Sequence, residues 1–340
     1  MPYTLFQGGR RRRRRPWRAL PALVLLLAAA GALVLVARGD LDLSLHVGGG
    51  AGSGKGASAI TPLTAEGPEP LAGGGTAPTP LGVRLDSTRD AVRVNFKHPP
   101  RAGLLFDLDT GRVLWRRNPT KPLPIASLTK MMTALVVTDR VRPRTRVRIT
   151  KQALNYRGSG MGVLRLGRRV TVKSLLYGLL LPSGNDAARA LAAHTGGTIR
   201  GFVALMNRRA EQLGLSCTHY TSPDGYKDRG NHSCAVDLAA LARADLRQPL
   251  IADIARHRQA VLPFPIKGGR IYLYNHNPLL RQGYRGTTGL KTGYTDAAGR
   301  CLVATVRRGR VRLGAVLLHS PDPGKQAMQL FDRGFRVSKE

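Results

Sequence analysis

An α+β fold, with one antiparallel sheet built from both ends of a domain and a helical region inserted between them, follows from three observations. RAGLLFD and RVLW, at 101–107 and 112–115, flank the turn residues LDTG, which is a strand-turn-strand pattern near the domain's start. CLVATV, RRGR and VRLGAVLLH, at 301–319, form a second such pattern near its end. Between them, 127–140, 171–181, 184–194, 198–213 and 235–246 carry apolar residues at helical spacing. TTGLKTGYT, 287–295, immediately precedes the last hairpin and is expected as a strand near the sheet's edge.

The chain has 340 residues, enough for one large or two modest domains. RRRRRR at 10–15 and PWR precede an apolar stretch from Ala19 to Ala37. Nineteen helical residues span ~28 Å, close to the ~30 Å of a bilayer's hydrocarbon core. Arginines before the span hold 1–18 inside and send the rest out, so 19–37 is expected as an uncleaved signal-anchor. The small residues AGA at 30–32 keep open the alternative of a cleaved leader and a secreted form. The linker, 38–81, is rich in Gly and Pro (VGGGAGSGKGAS, AEGPEPLAGGGTAPTP) and cannot bury enough apolar area to offset ordering. A folded domain is expected over 82–338.

The formal net charge is +34, spread through strands, helices and turns alike. Such a surface favours anionic partners such as membrane lipid or wall polymers. Nucleic acid is disfavoured, because no reading helix or aromatic-basic alternation appears. Outside the cytoplasm, three cysteines imply at most one internal bridge. Cys217 and Cys234 flank the turn-rich stretch THYTSPDGYKDRGNHS and are the expected pair, while Cys301 opens an apolar strand and is expected buried. A zinc site from Cys217, His219, His232 and Cys234 is disfavoured for the same redox reason.

Three short motifs carry the chemistry. In IASLTKMMTAL, 125–135, Ser127 and Lys130 stand three apart at the start of a helical pattern. That spacing shares a helix face, so the amine reaches the hydroxyl. A lysine among apolar neighbours loses proton affinity and can serve as the base a serine nucleophile needs. In LPSGNDAARAL, Pro182 and Gly184 imply a tight bend that aims Ser183 and Asn185 into a cleft. Lys291, Thr292 and Gly293 place a cation, a hydroxyl and an open backbone on the edge strand, which suits an extended peptide ending in a carboxylate. Taken singly, each motif is explained as well by a helix cap, a local turn or a solvated strand lysine.

The order S-x-x-K, then S-x-N 56 residues after Ser127, then K-T-G 106 residues after Asn185 resembles the signature of penicillin-binding proteins and serine β-lactamases. With LLFDLDTGRVLWRRNPTKPLP, SPDGYKDRGNHSCAVDLAALAR and YNHNPLLRQGYRGTTGLKTGYTDAAG, roughly 98–335 is similar to the low-molecular-mass D-alanyl-D-alanine carboxypeptidases, the S11-like serine peptidases. The resemblance implies the transpeptidase fold of that superfamily. It also implies Ser127 as the acylated nucleophile, Lys130 as base, Ser183 as proton relay and Asn185 as a substrate-holding amide. Lys291 and Thr292 would recognise the carboxylate, and the backbone N–H groups of Ser127 and Tyr294 would form the oxyanion hole. Tyr294 stands where some relatives carry His. Peptidoglycan stem peptides ending in D-Ala-D-Ala are the implied substrate and β-lactams the implied covalent inhibitors, with no metal or cofactor. An endopeptidase acting on crosslinks uses the same machinery and is the main alternative. A β-lactamase of the kind that deacylates through a glutamate is disfavoured, because Glu211 is the only Glu from 82 to 337. A catalytically dead wall binder would be expected to break one of the motifs, and all three are intact.

Overall fold

Strands whose two faces are both covered read as unbroken apolar runs, and the centre of the sheet is built from two of them. The computed structural model describes residues 81–86, 89–226 and 229–338, all within one contact-defined unit, 72–340. The five-stranded sheet comprises β1 (Ala102–Asp107), β2 (Val113–Arg117), β9 (Thr287–Thr295), β10 (Gly299–Arg308) and β11 (Val311–Leu318), in the order β2-β1-β11-β10-β9. All its pairings are antiparallel, and β9 is an edge. Three two-stranded ribbons complete the strands: β3 (Leu123–Pro124) with β6 (His232–Ser233), β4 (Arg146–Arg148) with β5 (Arg169–Thr171), and β7 (Gln259–Pro263) with β8 (Arg270–Tyr274).

Period-two alternation sends successive sheet residues into two separate cores. Leu104, Phe106, Val303, Val316 and Leu318 join the larger core with α1 (Thr129–Arg140) and the other inserted helices. Those are α2 (Lys151–Leu154), α3 (Val172–Leu180), α4 (Asn185–Gly196), α5 (Ile199–Gln212), α6 (Ala235–Arg247) and α7 (Pro249–Ala255), whereas α8 (Pro278–Arg281) places Leu279 in the smaller core. Leu105, Leu302, Ala304, Ala315 and Leu317 face the other way, against Leu330, Phe331 and Phe335 of α9 (Pro323–Val337). The expected sheet, its edge strand and the inserted helices are therefore present. Thr171, Thr198 and Asp322 cap α3, α5 and α9 by accepting from Ser174 N, Gly201 N and Lys325 N, which fixes where each helix starts.

The β7–β8 ribbon is not among the expected elements, and two helical features also differ from expectation. Ser127 lies not in the α-helix but in a one-turn 3-10 segment, Ala126–Leu128, that leads into it. The closing segment forms α9, a helix not among those expected, whose apolar side seals the back of the sheet. Cys217 and Cys234 are bridged, with Cα atoms 5.9 Å apart, and Cys301 is buried. Asp237 lies beside the bridge, but bonded sulfurs offer no thiolate to a metal. Segment 1–18, the expected span 19–37 and the linker through residue 80 lie outside the described residues. Among the described residues, no helix is long and apolar enough to cross a membrane.

Candidate active site

Ser127 and Lys130 come together where the 3-10 turn meets α1. Lys130 is wholly buried, and its Nζ lies 2.8 Å from Ser127 Oγ, 2.7 Å from Asn185 Oδ1 and 2.6 Å from the Asp224 carbonyl. Three acceptors match the three N–H bonds of an ammonium. Burial nevertheless dominates, drawing the Lys130 pKa down to about 8, with the charges of Asp224 and Asp186 opposing it. When the amine is neutral, Asn185 Oδ1 and the Asp224 carbonyl can still only accept. Ser127 alone has a proton to give, so the geometry directs the lone pair of Lys130 at Oγ–H.

The backbone around the pair is held in uncommon conformations. Ala126 has φ +47° and Ser183 φ +62°, in the left-handed region that costs a non-glycine residue about 1–3 kcal/mol when locked in place. Thr129 Oγ1 donates to Ala126 O at 2.8 Å and accepts from Asn231 Nδ2 at 2.8 Å, while Thr133 Oγ1 donates to Pro223 O at 2.7 Å. These bonds draw the SPDG loop against α1. Gly225 (φ +71°) makes that approach feasible, since a Cβ there would run into the Ala126 carbonyl. Gly293 is similarly crowded: a Cβ would lie 2.9 Å from Ile125 O and 3.1 Å from Ser127 N. The missing side chain of K-T-G thus makes room for the turn that carries Ser127, as well as leaving the strand edge open.

Ser183 and Asn185 sit at the bend into α4. Asn185 is buried and uses both ends of its amide: Oδ1 accepts from Lys130, and Nδ2 donates to Arg157 O at 2.5 Å. Its backbone N–H bonds Ser159 O at 2.8 Å, clamping the 157–162 loop to the helix start. Asp186 secures that loop further by accepting from Met161 N and Gly162 N. The Ser183 hydroxyl is different, for it is 5% exposed and has no hydrogen-bond partner among the described residues. A buried hydroxyl without a partner is costly, and a bound ligand would supply one.

Lys291 on β9 is 1% exposed and donates to Thr292 O at 2.8 Å. Burial, together with repulsion from Lys130, pulls its pKa well below the usual lysine range. Two buried amines therefore share the site, and an anion between them would favour the charged form of each. Tyr294 is exposed, and its hydroxyl bonds Asp296 at 3.1 Å. The sequence offered no sign of the Asp224 carbonyl as third acceptor for Lys130, or of Arg157 as the partner of Asn185. Backbone groups carry no residue-type signature, and both act through loops. Glu211 is exposed on α5, where a helix-surface role accounts for it. No cluster of metal ligands is found beside this site among the described residues.

Comparison with known proteins gives one family profile, described as D-alanyl-D-alanine carboxypeptidase, which matches residues 91–322. The D-alanyl-D-alanine carboxypeptidase DacB2 of Mycobacterium tuberculosis is 36% identical over 71% of this chain and 84% of its own length. DacF of Bacillus subtilis is 33% identical over 68% of this chain, and the match spans only 60% of that relative's length. A relative from Pseudomonas aeruginosa, 33% identical over 66% of this chain and 76% of its own length, is named as a D-alanyl-D-alanine endopeptidase. A solved mutant of the Streptomyces K15 DD-transpeptidase superposes with TM-score 0.67 and 31% identity, over 71% of this chain and all of that one.

Proposed function

The chain belongs to the D-alanyl-D-alanine carboxypeptidase family, and from that premise we propose that it is a serine carboxypeptidase removing the terminal D-alanine from peptidoglycan stem peptides. The observation that carries this reading is the buried amine of Lys130, drawn down to about 8 and held 2.8 Å from Ser127 Oγ. Ser127 Oγ attacks the carbonyl between the two D-alanines as Lys130 Nζ takes its proton. The backbone N–H groups of Ser127 and Tyr294 stabilise the oxyanion, each worth about 3 kcal/mol by analogy with measured donors. Ser183, unpartnered in the free site, passes a proton to the departing amine, and Lys291 with Thr292 holds the substrate carboxylate. Asn185 acts chiefly by orienting Lys130, with one amide hydrogen left for the substrate. Water then hydrolyses the acyl-enzyme. A β-lactam acylates Ser127 in place of the dipeptide. The region before residue 82 serves as membrane anchor and linker, a reading supported by the arginines at 10–15 and the apolar run 19–37.

The test is D-alanine release from a peptide ending in Lys-D-Ala-D-Ala, with Ser127→Ala alongside. Release that disappears in the variant supports the proposal. No release from folded wild-type protein that nevertheless cleaves crosslinked dimers would move the assignment to the endopeptidase reading, which the Pseudomonas relative's name favours.

A further inference from the structure

The back of the sheet carries a second feature, independent of the catalytic reading. Three cavities adjoin along the outer face of α9. The first, of about 890 Å³, is lined by Arg89, Arg93, Arg116 and Arg333 over a floor that includes Trp115. The last, of about 730 Å³, is lined by Arg285, Arg308 and Arg336. A smaller one, of about 220 Å³, joins them: it shares Val94, Asn95 and Arg333 with the first and Asp332 and Arg336 with the last.

Seven arginines thus line a continuous groove against two acidic residues, Asp90 and Asp332. Both carboxylates are already engaged. Asp90 pairs with Arg116 at 3.1 Å, and Asp332 accepts from Tyr284 at 2.6 Å and lies 3.5 Å from Arg308. Arg308 is held in place by stacking 4.9 Å and 4.6 Å from the ring centres of Tyr284 and Phe335, and its Nε has no partner among the described residues. The excess positive charge therefore faces whatever enters the groove.

We propose that this groove binds a linear phosphodiester polymer. The fork of a guanidinium matches phosphate oxygens in pairs, and arginine is the only basic residue type lining these cavities. Length argues for a polymer: a single lipid headgroup would occupy one cavity, whereas a small middle cavity joins two larger ends, as a chain of spaced charges requires. The partner is not a nucleic acid, because the groove presents no ring for bases to stack on; Trp115 is 7% exposed and Phe335 4%. α9 covers the sheet face opposite the core that holds α1, so an occupied groove leaves Ser127 accessible.

The test measures binding of the full chain to lipid-free poly(glycerol phosphate), to an oligothymidylate of equal charge and to phosphatidylglycerol vesicles, each at two salt concentrations. Arg285→Glu with Arg336→Glu is compared with Arg200→Glu and Arg208→Glu on α5, an equal change of charge at exposed positions elsewhere. The groove pair is expected to weaken polymer binding at least tenfold and to reduce the log–log salt slope by about 2, while the α5 pair changes affinity less than threefold. Equal losses in both pairs would reduce the effect to net charge and overturn the proposal. So would absence of polymer binding by the wild type, or a groove-pair loss larger for vesicles or oligothymidylate than for the polymer. If the groove pair lowers the melting temperature, Arg285→Gln with Arg336→Gln must reproduce the same ranking.

Discussion

Lys130 and Asp245 are both wholly shut off from water, yet their surroundings differ in kind. Around Lys130 three acceptors stand within 2.8 Å, one of them a hydroxyl that can reverse its bond. Around Asp245, on α6, neither carboxylate oxygen has a hydrogen-bond partner among the described residues. Burial pushes its pKa well above the ordinary carboxylate range, and the nearby charge of Asp139 pushes the same way. Burial alone therefore discharges a group and leaves it inert. Burial with aligned partners keeps a group able to exchange a proton near neutral pH, which is what a general base needs.

The comparison breaks most visibly at Lys130. Lys130→Met keeps the apolar stem and removes the amine, and acylation of Ser127 by penicillin is expected to fall by about 10³-fold or more. The variant leaves Asn185 Oδ1 and the Asp224 carbonyl without that donor, at a cost of about 1–3 kcal/mol. Removal of a buried amine partly offsets this, so the melting temperature should fall only modestly. Mass spectrometry of the acylated protein and a thermal melt together check this, and a large loss of stability would show that Lys130 is chiefly structural.

Asn185→Ala is the next step down, with acylation expected to fall about 10- to 100-fold. Under the proposed mechanism the neutral amine is the active form, so the acylation rate of the wild type should rise with pH through about 8. Removing Asn185 Oδ1 takes away an acceptor that favours the ammonium, so the midpoint should move below that value. A pH–rate profile of both proteins decides the matter; an upward shift would contradict the assigned hydrogen bond.

Asp245→Asn sharpens the other half of the comparison and carries the smallest effect. Because the folded state raises this pKa, the native protein holds a proton that the unfolded chain loses above about 3.8, so stability declines as pH rises past that value. The amide removes this dependence. It should stabilise the protein by about 1–3 kcal/mol at pH 7 and by nothing measurable near pH 3. Denaturant melts at the two pH values test it, and an equal effect at both would point to a packing change.

Much of this protein was legible before its structure. The strands at 102–107, 287–295, 299–308 and 311–318 follow from apolar runs punctuated by turn residues, and the inserted helices follow from their periodicity. The three motifs were legible because side-chain chemistry at fixed spacing survives in one dimension. The left-handed turns at Ala126 and Ser183 were not, since neither residue type announces positive φ. The ribbon of β7 and β8 and the helix α9 were also missed. The ribbon pairs strands on either side of the FPIKGG turn, while the charged outer face of α9 masks a narrow apolar stripe.

By itself the sequence determined the α+β class, the family, and which hydroxyls, amines and amide could carry the chemistry, because these depend on residue type and order. Only the tertiary structure decided what those groups do to one another. The Asp224 carbonyl lies 94 positions from Lys130 and Asn185 lies 55; their convergence aims the amine, and the dry interior they close around it lowers its proton affinity. The groove of arginines has the same origin: seven residues scattered from 89 to 336 become one surface only when α9 folds across the sheet. Charge and hydrogen-bond strength depend on distance and dielectric, and both are properties of the packed chain.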